Sequence, residues 1–365
     1  AARKALADET VETVVERTSG VPLFFEELTR EVVERGVTRL GAREIPVTLH
    51  DSLMARLDRL GPAKEVIQVG AVIGGEFSYG LLRLVHPVGE ARLQQSLHQL
   101  TDAELLYVRG IPPDASYEFK HALIRDAAYE ALLKSRRREL HRKIAETITD
   151  KFGELAETHP ELLARHWAEA GEIELAVTNW LRAAKAGEAR GAFREALEDY
   201  RQALVLVHLL PESGTRDLRE LELRIGIVHM LSVTRGYSAA ETVDATERFV
   251  ALAHKSGNVP QLVVSALRRG FTAYVSGDLL AAGPLADEAL VLALHHGSHG
   301  DIARAHGLQI WTRYWRGDFA GVEKHFAAGL EFFDDPGYRE DRGGGAYSSF
   351  ALGDFDIVKR PTSIP

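Results

Sequence analysis

The chain has 365 residues, enough for two or three domains at roughly 150 residues each. Hydrophobic residues at 45% and charged residues at 27% are those of a globular protein, which excludes disorder and collagen-like repeats. With 44 Lys and Arg against 53 Asp and Glu, the net charge of −9 gives no strong field for nucleic acid or an acidic membrane, and zero cysteines exclude disulfides, thiolate metal ligands and a Cys nucleophile.

No apolar run approaches the roughly 18 residues of a membrane span. The first residue is Ala1, with no signal-like segment after it. The expectation is a cytoplasmic region whose natural start lies upstream. Only 13 prolines interrupt long stretches of Ala, Leu, Glu and Arg, so the fold class is mainly α.

In chain order, Leu6, Val11, Val14 and Val15 have helical spacing, and the helix stops at Ser19-Gly20. A second helix opens at Pro22, where a missing N–H costs least, and runs to about Val33. Gly36 and a polar stretch to Pro46 mark the first boundary. Leu49, Leu53 and Leu57 then form an amphipathic stripe, with Thr48 as its cap before Asp51. Val66, Val69, Val72 and Ile73 make a more apolar helix ended by Gly74-Gly75. Leu81, Leu82 and Val85 form another, and Leu93, Leu97 and Leu100 a fourth. Leu105–Val108 and Tyr117–Phe119, joined by a turn over Gly110–Asp114, predict a hairpin, followed by a helix from His121 to Leu133. Helices, hairpin, helix is the order of a winged-helix domain.

From about Pro160 the chain repeats itself. Gly191-Ala-Phe-Arg-Glu-Ala196 continues to Tyr200, Ala203 and Leu204 with the small–ring–small spacing of the second helix of a tetratricopeptide repeat. Gly171, Ala176, Trp180 and Ala183 show the same spacing. Gly277-Asp278-Leu279 and Gly317-Asp318-Phe319 begin two further copies 40 residues apart, and Tyr274 and Tyr314 precede them in matching positions. Small residues let two helices approach while the ring fills the space beside them. One hairpin cannot bury its own apolar face, so neighbours must stack into a solenoid. After Asp334 the pattern lapses, and Gly343-Gly344-Gly345 leads into a stretch expected to be irregular.

Other groups of chemical interest have plainer readings. Lys134, Arg136-Arg137-Arg138, Arg142 and Lys143 form the densest basic run, but Leu140 and Ile144 among them indicate a solvated helix face, and nucleic acid is not expected to bind. His295-His296-Gly-Ser-His299 falls where a loop between repeat helices is expected and lacks carboxylates at ligand spacing, so no metal site is expected. Trp311, Tyr314 and Trp315 lie close together on one helix; solenoid packing accounts for them, and a ring on a concave face could also anchor a partner. No catalytic triad, paired-carboxylate site or phosphate-binding G-x-x-x-x-G-K-[ST] loop is recognisable, so no catalytic residue is assigned.

The segments Thr18-Ser-Gly-Val-Pro-Leu-Phe-Phe-Glu-Glu-Leu28, Ile45-Pro-Val-Thr-Leu-His-Asp-Ser-Leu-Met-Ala-Arg-Leu-Asp-Arg-Leu60 and Tyr117-Glu-Phe-Lys-His-Ala-Leu-Ile-Arg-Asp-Ala-Ala-Tyr129 carry a resemblance. Together they look like bacterial proteins in which a class III adenylate cyclase precedes a STAND-type AAA-like ATPase module and a helical-repeat tail. Large LuxR-type transcription regulators share the ATPase-plus-repeat arrangement. The resemblance covers about residues 10–335; Gly75 departs from it, since relatives often carry Arg there.

The resemblance implies an incomplete ATPase lid over residues 1–45, a winged-helix-like domain over 46–155, tetratricopeptide-like repeats over 156–335 and an irregular tail over 336–365. It implies cofactor contacts only with an upstream module attached. Gly20 and Pro22 would place a proline ring against adenine, and His121 would reach the β-phosphate of ADP. A helix break and a helix-starting proline explain Gly20 and Pro22 fully, and an ordinary half-buried helix-capping residue is the preferred reading of His121. ATP or ADP with Mg would belong to that module, and none to this chain alone. The implied partners are the upstream ATPase and cyclase domains and a protein or small effector on the repeats. The function implied is regulation of the cyclase through a nucleotide-dependent switch. The alternatives are part of a LuxR-type regulator, or a repeat scaffold without nucleotide switching.

Overall fold

Thr48, in extended conformation, accepts the backbone N–H of Asp51 on its hydroxyl at 3.1 Å and starts helix α1 (Leu49–Asp58) at the predicted cap. The computed structural model describes residues 48–333, together with Glu26 and Thr29. The helices predicted between residues 3 and 33, the sites at Gly20 and Pro22, and the tail after Asp334 lie outside the described residues. Two units divide between Glu172 and Ile173.

In the first unit, α2 (Ala63–Ile73) is buried along nearly its whole length, consistent with its run of Val, Ile and Ala, and ends at Gly74. Strand β1 (Glu76–Ser78), α3 (Tyr79–Val85) and α4 (Glu90–Asp102) follow. Strands β2 (Leu106–Arg109) and β3 (Ser116–Phe119) form the predicted antiparallel hairpin, with Leu106 opposite Phe119. The sheet order is β1–β3–β2. β1 was not visible in the sequence because three residues offer no alternation to read. It is specified by its partner: Phe77 lies opposite Tyr117, and their rings stack at 5.8 Å. The leucines of α4 (Leu93, Leu97 and Leu100) are buried, as their spacing predicts.

Helix α5 (Ala122–Glu130) occupies most of the predicted span from His121, and α6 (Lys134–Lys151) packs against both α3 and α2. Short α7 (Gly153–Thr158) leads to α8 (Pro160–Ala170), which packs on α6 within the first unit. Residues 156–172, grouped with the repeats on the sequence pattern, are thus held here by α6.

The second unit is a succession of helices: α9 (Ile173–Arg190), α10 (Phe193–Val207), α11 (Gly214–Arg235), α12 (Ala240–Ser256), α13 (Val259–Val275), α14 (Leu279–His296), α15 (His299–Trp315) and α16 (Phe319–Gly329). Each packs against the next, and α13 also meets α15. That is a stacked, solenoid-like arrangement in which successive helices bury one another. The small–ring–small pattern is internal: Ala196, Tyr200 and Ala203 are buried on α10, as are Ala176, Trp180 and Ala183 on α9. These two matches sit on consecutive helices, so they form one hairpin and do not mark the same helix of successive repeats.

The 40-residue step is reproduced in backbone geometry. Gly277 and Gly317 have φ of 78° and 76°, left-handed values that favour glycine. After each, an aspartate caps the next helix: Asp278 Oδ1 accepts from Ala281 N–H at 3.0 Å, and Asp318 Oδ1 from Gly321 N–H at 2.9 Å. Cap geometry, not burial alone, sets the period.

Candidate functional site

A cavity of about 370 Å³ opens among the helices of the second unit. Tyr200 forms part of its wall because α11 carries Gly226 opposite the ring. A Cβ built there would lie 2.4 Å from Tyr200 Cζ, so only glycine admits the ring at this depth. Burial, then the hydrogen bond its hydroxyl donates to Glu188 Oε1 at 2.8 Å, pushes the Tyr200 phenol far above its ordinary pKa. It is a neutral donor throughout the physiological range.

Aromatic rings line another side. Tyr237 meets Phe271 edge-to-face at 4.9 Å, and Phe271 lies 6.0 Å from Trp311. Trp311 in turn stacks on Tyr274 at 5.8 Å, whose hydroxyl accepts the indole N–H of Trp315 at 3.1 Å. The packing reading of the Trp cluster holds for Trp311, which is packed among rings and lines the cavity, whereas Trp315 is 64% exposed. Val264, Leu267 and Leu308 add aliphatic lining.

Charged side chains of both signs complete the wall: Lys185, Arg268 and Arg304 against Glu188, Glu222 and Asp301. Lys185 pairs with Glu222 at 2.7 Å, and Arg304 with Asp301 at 3.5 Å. Among the described residues, Glu188 receives the Tyr200 hydroxyl but no cation, and half-buried Arg268 meets no acid. Among the described residues the cavity therefore presents one carboxylate and one guanidinium outside ion pairs, together with several rings in its wall.

The sequence pattern did not single out Glu188, Arg268, Tyr237 or Phe271. One signal was present: Phe271 and Trp311 are 40 residues apart, so the repeat that aligns the Asp caps also aligns two rings of the wall. The charged members carry no such signal, because half of any solvated helix is charged.

His121, the one described residue among those assigned to nucleotide by resemblance, is half-buried at the N-cap of α5 and makes no side-chain capping hydrogen bond. That places it at the positive end of the helix. In the basic run, Lys134, Arg136, Arg138, Arg142 and Lys143 are exposed, as a solvated face predicts. Arg137 differs: its guanidinium lies 4.7 Å over the Tyr129 ring and donates to the carbonyls of Leu132 and Glu130 just beyond and at the end of α5. His295 and His296 form the last turn of α14, Gly297 and Ser298 make the junction, and His299 begins α15. The predicted loop is thus only a two-residue junction, closed by a reciprocal cap between Ser298 and Asp301. Among the described residues no group of three or more His, Asp or Glu is placed to hold a metal ion, and no helix is long and apolar enough to cross a membrane.

Two buried histidine pairs also escaped the sequence reading. In the first unit, His141 Nδ1 meets His166 Nδ1 at 2.8 Å, and the Tyr129 hydroxyl meets His141 Nε2 at 3.1 Å. Burial, reinforced by the charge of Arg137, lowers His141 to about 4. Burial, then His141 and Arg165, lowers His166 to about 3. In the second unit, His306 and His325 meet through Nδ1 atoms at 3.3 Å, and burial followed by Arg313 lowers His325 to about 4. Burial keeps these imidazoles uncharged at neutral pH, which lets one Nδ1 of each pair donate while the other accepts.

No family model matches the chain. It is 30% identical over 260 residues to an uncharacterized protein of Rhizobium meliloti (strain 1021), an alignment covering 69% of this chain and 25% of that protein. The chain thus spans about a quarter of the length of that relative. Among solved structures it is similar to BtubC (BKLC) from P. vanneervenii, with a TM-score of 0.41 and 15% identity over 69% of this chain and 90% of that one. It is also similar to a Signal Transduction ATPase with Numerous Domains (STAND) protein with a tetratricopeptide repeat sensor from Pyrococcus horikoshii. There the TM-score is 0.34 and the identity 12%, over 96% of this chain and 61% of that one.

Proposed function

We propose that this chain is the sensing and coupling region of a multidomain signalling ATPase. Its first unit is a winged-helix-like domain that reports on bound nucleotide, and its second a tetratricopeptide-like solenoid that receives a small effector. The cavity of about 370 Å³ carries the reading. It lies within the size range of small-molecule sites, joins apolar rings to a few placed charges, and draws its lining from α9, α10, α11, α13 and α15. A ligand that bridges those helices favours one stacking geometry over another, and this differential contact is what a regulatory switch requires. In the first unit, His121 at the start of α5 would bind a nucleotide phosphate supplied by an upstream ATPase module, with Gly20 and Pro22 holding the base. The output would be an upstream adenylate cyclase. With no phosphate-binding loop in the sequence, this chain supplies control and no turnover of its own.

The test is nucleotide turnover by the full-length protein that contains this chain. Turnover should respond to small-molecule extract, and Val264→Phe, which fills the cavity, should abolish the response while far-UV circular dichroism is retained. A full-length protein that binds neither ATP nor ADP overturns the reading.

A further inference from the structure

We infer that the cavity of the second unit selects a small zwitterion: an apolar, preferably aromatic body with an ammonium group at one end and a carboxylate at the other. This rests on the reading of the cavity as a ligand site and adds the ligand's chemistry. The lining carries three cations and three acids, yet the two pairs Lys185–Glu222 and Arg304–Asp301 neutralise each other in place. What remains is the carboxylate of Glu188 and the guanidinium of Arg268, which have no ion pair with each other or with any other described residue. A half-buried charge without a counter-ion is costly, and a ligand bearing the opposite charge removes that cost. A purely anionic ligand would satisfy Arg268 and leave Glu188 facing it; a purely cationic one would do the reverse. Only a ligand with both charges completes the set.

Geometry refines the class. Glu188 lies on α9 beside Tyr200, whereas Arg268 lies on α13 one turn from Phe271. The rest of the wall includes apolar and aromatic side chains: Ile225, Leu267, Phe271, Leu308 and Trp311. Because Glu188 and Arg268 stand on different helices, α9 and α13, the ligand's two charges sit on different parts of its body, and an arrangement with both on one carbon fits less well. Glu188 receives the ammonium, and Arg268 receives the carboxylate in a two-pronged contact that lysine could not reproduce. The Tyr200 hydroxyl holds Glu188 in place for this contact.

The experiment is isothermal titration calorimetry on the full chain with para-(aminomethyl)phenylacetic acid, its N-acetyl derivative and its carboxamide. The zwitterion should bind, and each blocked form should bind at least about tenfold more weakly, as expected when a charged hydrogen bond is lost. In Arg268→Gln the acid and the carboxamide should bind alike, and in Glu188→Gln the free and acetylated amines should bind alike. Glu188→Gln keeps an acceptor for Tyr200, and circular dichroism checks that both variants fold. Zwitterion binding that is absent, or no tighter than that of either blocked form, overturns the inference. If toluene still binds, and Val264→Phe removes that binding, the cavity stands as a ligand site and only its charge preference is wrong. If nothing enters the cavity, the effector-site reading falls as well.

Discussion

Gly226 lies against the ring of Tyr200 so closely that a Cβ at the glycine would come within 2.4 Å of Cζ. The contact links two adjacent helices, α10 and α11, and holds the hydroxyl that Glu188 accepts. Gly226→Ala should therefore destabilise the chain although alanine is the better helix former. Overpacking of this kind costs about 1–3 kcal/mol, against about 1 kcal/mol gained in helix propensity. The check is a lowered melting temperature; a raised one would show that the ring yields freely.

Ala203 is fully buried one turn from Tyr200 on the same helix. Ala203→Trp should destabilise by about 1–3 kcal/mol through overpacking of the α10 contacts. An unchanged denaturant midpoint would contradict the helix register described for the second unit.

Ser298 starts α15, the helix that carries Arg304, Leu308 and Trp311 into the cavity. Its hydroxyl accepts from Asp301 N–H at 3.2 Å while the Asp301 carboxylate accepts from Ser298 N–H at 3.0 Å. Ser298→Ala removes half of this reciprocal cap and should cost about 1 kcal/mol. Hydrogen exchange should quicken at the first turn of α15 and be unchanged in α2 of the first unit.

The His141–His166 pair sets a pH dependence whose sign follows from its neutrality. Both imidazoles titrate in the fold at about 4 and about 3, below the ordinary value of about 6.5 that they regain on unfolding. Between those values the unfolded chain binds more protons, so stability is full above about pH 6.5 and is lost as pH falls towards 4. His325, also held at about 4, adds the same sign in the second unit. Urea midpoints measured from pH 7 to pH 4 should fall, and His141→Leu combined with His166→Leu should flatten the slope. A slope unchanged in that double variant would assign the dependence elsewhere.

Much of the architecture could be read in the chain because its signals are local. Thr48 before Asp51 is a cap wherever it occurs, Gly277-Asp278 and Gly317-Asp318 repeat both a turn and a cap, and Leu93, Leu97 and Leu100 share one face of any helix. β1 escaped notice because its three residues become a strand only when β3 offers its edge. The cavity was illegible for a related reason. Glu188, Tyr200, Arg268 and Trp311 lie on four different helices, and nothing in the sequence states which side chains converge.

The order of residues alone determined that this protein is mainly helical, where many of its helices begin, and that one turn and cap recur 40 residues apart at Gly277-Asp278 and Gly317-Asp318, since propensity, caps and apolar spacing act within a turn or two of chain. Tertiary structure alone decided which charges found partners. Lys185 and Glu222 are 37 residues apart and neutralise each other, whereas Glu188 and Arg268 form no ion pair among the described residues. Coulomb energy depends on distance in space and on the water excluded around it, and both arise only when the helices stack.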